Sequence, residues 1–334
     1  METTKKKHKV GKIILSVILI FIIAFAVGDT ISVNWHSNPE NIKTYETDNR
    51  YINSTNTPYV SAHRSGGGIM PEESMLAFRN CIENPDFSVD VFEFDLHITK
   101  DNVLVLLHDD TLERTTDCEK VLGDAKARPE NYTYEELRQL NIGAKFENEN
   151  GEMPYADISG DGLIDDLKIV RIEDILDYLN YAGNFDYIIE IKNGGELGCT
   201  GVDILYNVLE SRNLLDKVIF GTFNEEVSFY VDDNYPLLKR SATIKEVLSF
   251  YKSALFNSKD FEAKYIALQI PYNMPYRIVG NLATARVINY AHAHNIAVQY
   301  WTINKENELE YLSSVGADCI MSDYPDKLYN VIHN

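Results

Sequence analysis

Short runs of β-branched and aromatic residues recur along the chain at 59–62, 91–99, 103–107, 187–191, 217–223, 237–242, 265–270, 296–303 and 318–321. Between many of them apolar residues return every three or four positions, at 74–83, 172–181, 203–212, 283–294 and 306–315. The first pattern predicts strands and the second amphipathic helices. Their alternation predicts parallel βαβ units. Only Lys100-Asp101-Asn102 separates the second and third strand runs, too little for a crossover helix, so this pair reads as an antiparallel hairpin. Removing the hairpin's second arm leaves eight staves in residues 58–334, the size of a (β/α)8 TIM barrel of ~250 residues. A doubly wound open sheet is the alternative, but no Gly-x-Gly-x-x-Gly fingerprint follows the first strand. Residues 118–170 fit neither pattern and read as an insertion after the hairpin.

The N-terminus follows different rules. Lys5, Lys6, Lys7, Lys9 and Lys12 form a basic run, and residues 13–27 then carry no charge. Residues 13–28 therefore read as a transmembrane or signal segment, with the basic side cytoplasmic and residues 29–334 outside the cell membrane. Ala24-Phe25-Ala26 also suits signal cleavage, which would release a secreted protein. Residues 29–57, rich in Asn, Thr, Ser and Asp, read as a linker to one domain at 58–334.

Composition narrows the possibilities. Of 334 residues, 45% are hydrophobic and 25% charged, which excludes a disordered or multi-spanning chain. The net charge is −20, and residues 1–28 hold five Lys against one Glu, so the exported part is more acidic still. That excludes general nucleic-acid binding, which relies on neutralising phosphates. Four cysteines are too few for a disulfide scaffold and read as small buried residues.

In a barrel of this type functional residues sit where strands end. Those ends carry His63-Arg64, Glu93, Asp95, His108-Asp109, Glu190, Lys192, Thr222-Phe223, Trp301 and Asp323. Glu93, Asp95 and His97 share one strand face. A hairpin turn centred on Asp101–Asn102 pairs residues whose numbers sum to about 203, which sets Asp95 opposite His108. Two carboxylates in an otherwise apolar strand are costly without a cation. Glu93 and Asp95, with Glu190 as third ligand, suit one hard divalent cation, Ca2+ or Mg2+; ordinary interior ion pairs are the other reading.

Several spacings then occur together. They are His63-Arg64, Pro71-Glu72, Glu93-x-Asp95, Thr99-Lys100-Asp101-Asn102 and Val105-x-x-His108-Asp109-x-x-Leu112-x-Arg114-Thr115-Thr116. Later come Glu190-x-Lys192, Thr222-Phe223, Trp301-Thr302-x-Asn304 and Ala317-Asp318-x-Ile320-x-Ser322-Asp323-x-Pro325. From about residue 59 to 326 the chain resembles the glycerophosphodiester phosphodiesterases, whose fold is the same barrel. The resemblance implies metal-dependent hydrolysis of a glycerophosphodiester to glycerol phosphate and an alcohol. It implies Glu93, Asp95 and Glu190 as metal ligands, His63 and His108 as the acid–base pair, and Arg64 and Lys192 on the phosphate. Trp301 packs at the rim or covers the substrate's glycerol. Two stretches depart from the family pattern. Ser65 stands where a glycine usually follows His-Arg, and Pro-Glu-Asn-Thr becomes Pro71-Glu72-Glu73-Ser74.

Two rival readings remain. A lysophospholipid or polymeric glycerol phosphate is the other substrate class, favoured respectively by an apolar rim or an open polar cleft. A non-catalytic surface binding protein on the same barrel is the other functional class, and the intact histidine pair argues against it. Asp157-x-Ser159-x-Asp161-Gly162-x-Ile164 resembles the start of an EF-hand, but Lys168 stands where a bidentate Glu is needed, so it reads as an acidic surface loop. His292 and His294 read as solvent-facing helix residues.

Overall fold

In the computed structural model, residues 16–20, 38–53, 55, 57–272 and 281–333 are described. Their elements are β1 (Tyr59–Ala62), α1 (Met75–Glu83), β2 (Val91–Ile98), β3 (Leu104–Leu106), α2 (Cys118–Leu122), α3 (Tyr134–Leu137), α4 (Ile172–Ala182), β4 (Asp186–Ile191) and α5 (Gly195–Ser211). They continue as β5 (Val218–Gly221), α6 (Glu225–Asn234), α7 (Ile244–Phe256), β6 (Ala267–Pro271), α8 (Ala285–Ala293), β7 (Ala297–Trp301), α9 (Glu306–Ser314), β8 (Cys319–Ser322) and α10 (Pro325–His333).

The strands lie in the order β5-β4-β2-β1-β8-β7-β6, with β3 paired to β2 off this path. Neighbours along the path are parallel, and β3 is antiparallel to β2. Between β5 and β6 the expected strand at 237–242 shrinks to two parallel bridges, Phe220–Arg240 and Ser241–Ala267, which nearly close the barrel. The run is short because Thr243 already caps α7 in a capping box with Glu246. The buried Arg240 guanidinium is held by Asp232 and Glu246.

Strand β2 is buried along its whole length, and its two faces differ. Phe92, Phe94, Leu96 and Ile98 pack outward with Phe78 of α1 and the apolar faces of α4 and α5. Glu93 and Asp95 take the alternate face and line the cavity inside the barrel. The hairpin pairs His97 with Val105 and Ile98 with Leu104, so paired numbers sum to 202, not 203. The loop centres on Asp101 rather than between Asp101 and Asn102, with Asn102 in a left-handed conformation (φ +60°) next to the Thr99–Val103 closure. Asp95 therefore faces Leu107 across the ladder, its carbonyl accepting from Leu107 N at 3.0 Å. His108 lies beyond the end of β3, outside the strict alternation, and still lines the cavity.

The excursion at 118–170 is compact. Leu112, Cys118, Tyr134, Leu137, Leu140, Ile142 and Ile169 form their own small core on Val105 and Leu107. The acidic loop is a single turn at Gly160–Gly162, and Lys168 pairs with Asp165.

Residues 38–53 do not hang free as a tether. Tyr51 and Ile52 are buried with Val91, Ile188, Ile219, Ala267, Ala297 and Cys319 at the base of the barrel. Asn49 Nδ2 donates to the carbonyls of Ile266 and Asn295 at 2.8 and 2.9 Å. Among the described residues no helix is long and apolar enough to cross a membrane, and the segment expected to do so, 13–28, lies mostly outside them. His292 differs from the sequence expectation: it is buried on α8's inner face with Nε2 2.9 Å from Asp318 Oδ2. Spacing alone did not show which side of α8 meets the sheet.

Candidate active site

Carboxylates form the floor of the cavity. Asp95 of β2 stands beside Glu190 of β4 in register, with Glu93 one step below. Lys192 Nζ lies 3.0 Å from Glu190 Oε1 and 3.5 Å from Asp95 Oδ1. Arg64 Nε lies 3.8 Å from Asp95 Oδ2, and the Arg64 backbone N donates to Glu93 Oε2 at 2.8 Å. Arg64 and Ser65 adopt left-handed backbone (φ +47° and +57°), which turns the chain sharply off β1 toward the cavity.

Glu73 adds a fourth acid. It is fully buried, also at positive φ (+59°), and its Oε1 accepts from Asp95 N at 3.0 Å. Burial, reinforced by the neighbouring Asp95, pushes Glu93 and Glu190 up to about 7 and Glu73 well above the carboxylate range. Asp95 Oδ2 and Glu73 Oε2 accept no hydrogen bond. The floor is therefore rich in oxygen donors and short of positive charge. That chemistry fits a hard divalent cation. As arranged, no three acidic, imidazole or thiol groups among the described residues converge as a ligand set. The Lys192 ammonium stands between two of the acids instead.

Two imidazoles face this floor, and each is oriented by a carboxylate on Nδ1. His63, at the end of β1, has Nδ1 2.7 Å from Asp323 Oδ1. Asn304 Nδ2 donates to Asp323 Oδ2 at 2.7 Å and fixes that carboxylate in turn. His108 Nδ1 lies 2.6 Å from Asp109 Oδ1. A carboxylate accepts only, so both Nδ1 atoms carry the proton of the pair and the Nε2 atoms are the ones that can exchange a proton in the cavity, with Thr302 Oγ1 3.2 Å from His63 Nε2. The two rings differ in charge preference. Burial disfavours the His63 cation, but Glu93 and then Asp323 outweigh it and raise its pKa. Burial lowers His108, with Lys192 and Arg64 adding to it against Asp95 and Asp109.

The cavity measures about 250 Å³ and has a second, apolar side. Ile244, Val247 and Leu248 of α7 line it together with Phe223, Ile270 and Leu282. Phe223 and Ile244 are more than half exposed (55% and 56%), so the apolar wall continues to the rim. Trp301 stands at that rim, edge-on to Phe223 at 6.0 Å. The structure thus brings all eight expected residues, His63, Arg64, Glu93, Asp95, His108, Glu190, Lys192 and Trp301, to one cavity. The α7 wall was not foreseen, although Ile244, Val247 and Leu248 carry a helical spacing that could have signalled it. Gln269 also lines the cavity, with Nε2 donating to Gln299 Oε1 at 3.0 Å, and nothing in its local sequence marks it.

Comparison with known proteins adds three findings. The model of the glycerophosphoryl diester phosphodiesterase family matches residues 63–327. A glycerophosphodiester phosphodiesterase of Bacillus altitudinis is 24% identical over 272 residues, spanning 81% of this chain and 97% of its own. One from Caldanaerobacter subterraneus is 26% identical over 277 residues, spanning 82% and 97%. The solved structure of an Oleispira antarctica phosphodiesterase in complex with sn-glycerol-3-phosphate has the same fold. Its TM-score is 0.62 at 20% identity, over 84% of this chain and 98% of that one.

Proposed function

The chain belongs to the glycerophosphoryl diester phosphodiesterase family and hydrolyses glycerophosphodiesters, and on that premise we propose how its residues divide the work. His108 is the general base and His63 the general acid. Arg64 and Lys192 bind the phosphate, and Trp301 covers the glycerol. The observation that carries this reading is the pair of imidazoles, each held by a carboxylate and turned to one cavity with two cations.

In the reaction an oxygen nucleophile attacks phosphorus and the bond to the alcohol breaks. His108, held neutral, takes the proton of the attacking oxygen. His63, held toward its cation, gives a proton to the departing alkoxide. Arg64 and Lys192 offset the charge that grows on the phosphoryl oxygens. Glu93, Asp95 and Glu190 would hold one divalent cation, Ca2+ or Mg2+. When bound, it supplies further positive charge to the same oxygens. The exported part is strongly acidic, so attraction of an anionic diester is local to these groups.

The apolar wall supports a second substrate reading, a lysophospholipid whose single acyl chain lies along Phe223, Ile244 and Leu248. A polymeric glycerol phosphate would call for an open polar cleft, and the wall disfavours it. Residues 58–334 are the catalytic domain. Residues 13–28 anchor it at the cell membrane with the domain outside, or are cleaved to release it. The lysine run followed by uncharged residues supports this, and fractionation of cells with an antibody to the domain tests it.

The test of the chemistry is glycerophosphocholine hydrolysis by the full chain, with EDTA and then with Ca2+ or Mg2+ restored. Turnover that vanishes with chelator, returns with one cation and is lost in His63→Ala and His108→Ala supports the reading. Turnover indifferent to both histidines overturns it.

A further inference from the structure

We propose that Arg114 is a positioning residue: its guanidinium ties the carboxylate that orients His108 to the carboxylate that competes for Arg64, and so sets both groups at once. The inference rests on the phosphodiesterase reading above and deepens it.

Arg114 lies in the turn that follows His108. Leu112 on one side is fully buried, with its N donating to Ala127 O at 2.9 Å. Thr116 on the other is buried too, with N and Oγ1 both donating to Leu112 O. The backbone of Arg114 is therefore fixed while its side chain reaches across the surface. Nε donates to Asp109 Oδ2 at 2.6 Å, and Nη2 donates to Asp109 Oδ1 at 3.2 Å. Nη1 and Nη2 donate to Glu72 Oε2 and Oε1 at 2.8 and 2.5 Å. One planar fork thus grips two carboxylates, one from the β1–α1 loop and one from the loop after β3.

Each carboxylate has a second partner in the site. Asp109 Oδ1 accepts from His108 Nδ1 at 2.6 Å. Glu72 Oε1 accepts from Arg64 Nη1 at 3.3 Å. The result is one continuous path, His108–Asp109–Arg114–Glu72–Arg64. Arg114 is half exposed, where a lone ion pair adds little to folding. Its place between two site residues is what sets it apart.

Removing the guanidinium has two separable consequences. Asp109 loses both of the side-chain bonds it has besides the one from His108, so the ring is no longer fixed for proton transfer. Glu72 is left with Arg64 as its remaining cation among its bonded partners and draws that guanidinium away from the phosphate. The first consequence lowers kcat and the second raises KM. A lysine cannot replace the fork, because a point charge does not hold two carboxylates in a set geometry.

The experiment measures kcat and KM for glycerophosphocholine with saturating divalent cation, in wild type, Arg114→Gln, Arg114→Lys, Arg64→Gln and the double variant Glu72→Gln/Arg114→Gln. Arg114→Gln is expected to lower kcat about 10–100-fold, as misplacement of a reacting group does, and to raise KM about threefold or more. Adding Glu72→Gln removes the competitor for Arg64. KM then returns to within about twofold of wild type while kcat stays low, and Arg114→Lys recovers only part of either loss. A KM that recovers on a second substitution cannot come from unfolding, so the split survives any loss of stability in Arg114→Gln. The proposal is overturned if Arg114→Gln leaves both constants within twofold, or if KM does not recover in the double variant. If Arg64→Gln leaves KM unmoved, the phosphate-binding role of Arg64 falls first, and this proposal with it.

Discussion

Asp95 and Asp318 are both about 1% exposed, at opposite ends of the same barrel, and they are treated differently. Asp318 stands at the base, where β8 begins. Its Oδ1 accepts from Asn53 N at 2.8 Å, and its Oδ2 accepts from Val298 N at 2.6 Å and His292 Nε2 at 2.9 Å. Asp95 stands at the mouth. Its Oδ2 accepts no hydrogen bond, and Glu73, Glu93 and Glu190 crowd it. A buried carboxylate that is fully satisfied holds a structure together. One left partly unsatisfied among like charges costs stability and is kept for what it does.

This contrast can be broken from several sides. The largest effect is expected at the histidines: His63→Ala or His108→Ala should lower kcat about 10²–10⁴-fold, the usual worth of a positioned acid or base, measured by release of the alcohol. Asp95→Asn should cost at least about 100-fold in activity. The same change should move unfolding stability by no more than about 1 kcal/mol, since it removes both the repulsion from the neighbouring acids and the attraction to Lys192 and Arg64; a larger loss would break the comparison. Asp318→Asn should do the reverse, with kcat unchanged and about 2–3 kcal/mol of stability lost through its unpaired donors.

Smaller effects sharpen the picture. Leu248→Glu should lower the ratio of kcat/KM for lysophosphatidylcholine over that for glycerophosphocholine about tenfold, if the apolar wall holds an acyl chain. The pH profile of kcat/KM should be bell-shaped. Its acid limb lies below the ordinary histidine value, because His108 is held neutral, and activity is lost as pH falls through it. Its alkaline limb lies above that value, because His63 keeps its proton longer, and activity is lost as pH rises through it. Asp323→Asn removes a charge that favours the His63 cation, so the alkaline limb should move down by about one pH unit. A limb that does not move assigns it to another group.

Much of the site is legible in the sequence. Strand alternation places Glu93 and Asp95 on one face, and the ends of β1, β4 and β7 mark His63-Arg64, Glu190, Lys192 and Trp301. The hairpin register was missed by one residue, because the left-handed Asn102 is a matter of backbone geometry that side-chain pattern does not encode. Ile244, Val247 and Leu248 carry a helical spacing, but periodicity does not tell which neighbour that apolar face of α7 meets, so the wall is visible only in the fold. The sequence marks Glu73 as a departure from the family pattern, but not as a buried neighbour of Asp95.

The sequence by itself determined the barrel, its hairpin and the residue types at the mouth. Local periodicity and strand-end chemistry are short-range properties, set by neighbours two to four positions apart. Only the tertiary structure decided that residues 38–53 close the base, that His292 is buried on Asp318, and that Arg114 links His108 to Arg64. Those facts join residues tens to hundreds of positions apart, and chain closure on that scale leaves no periodic trace in the sequence.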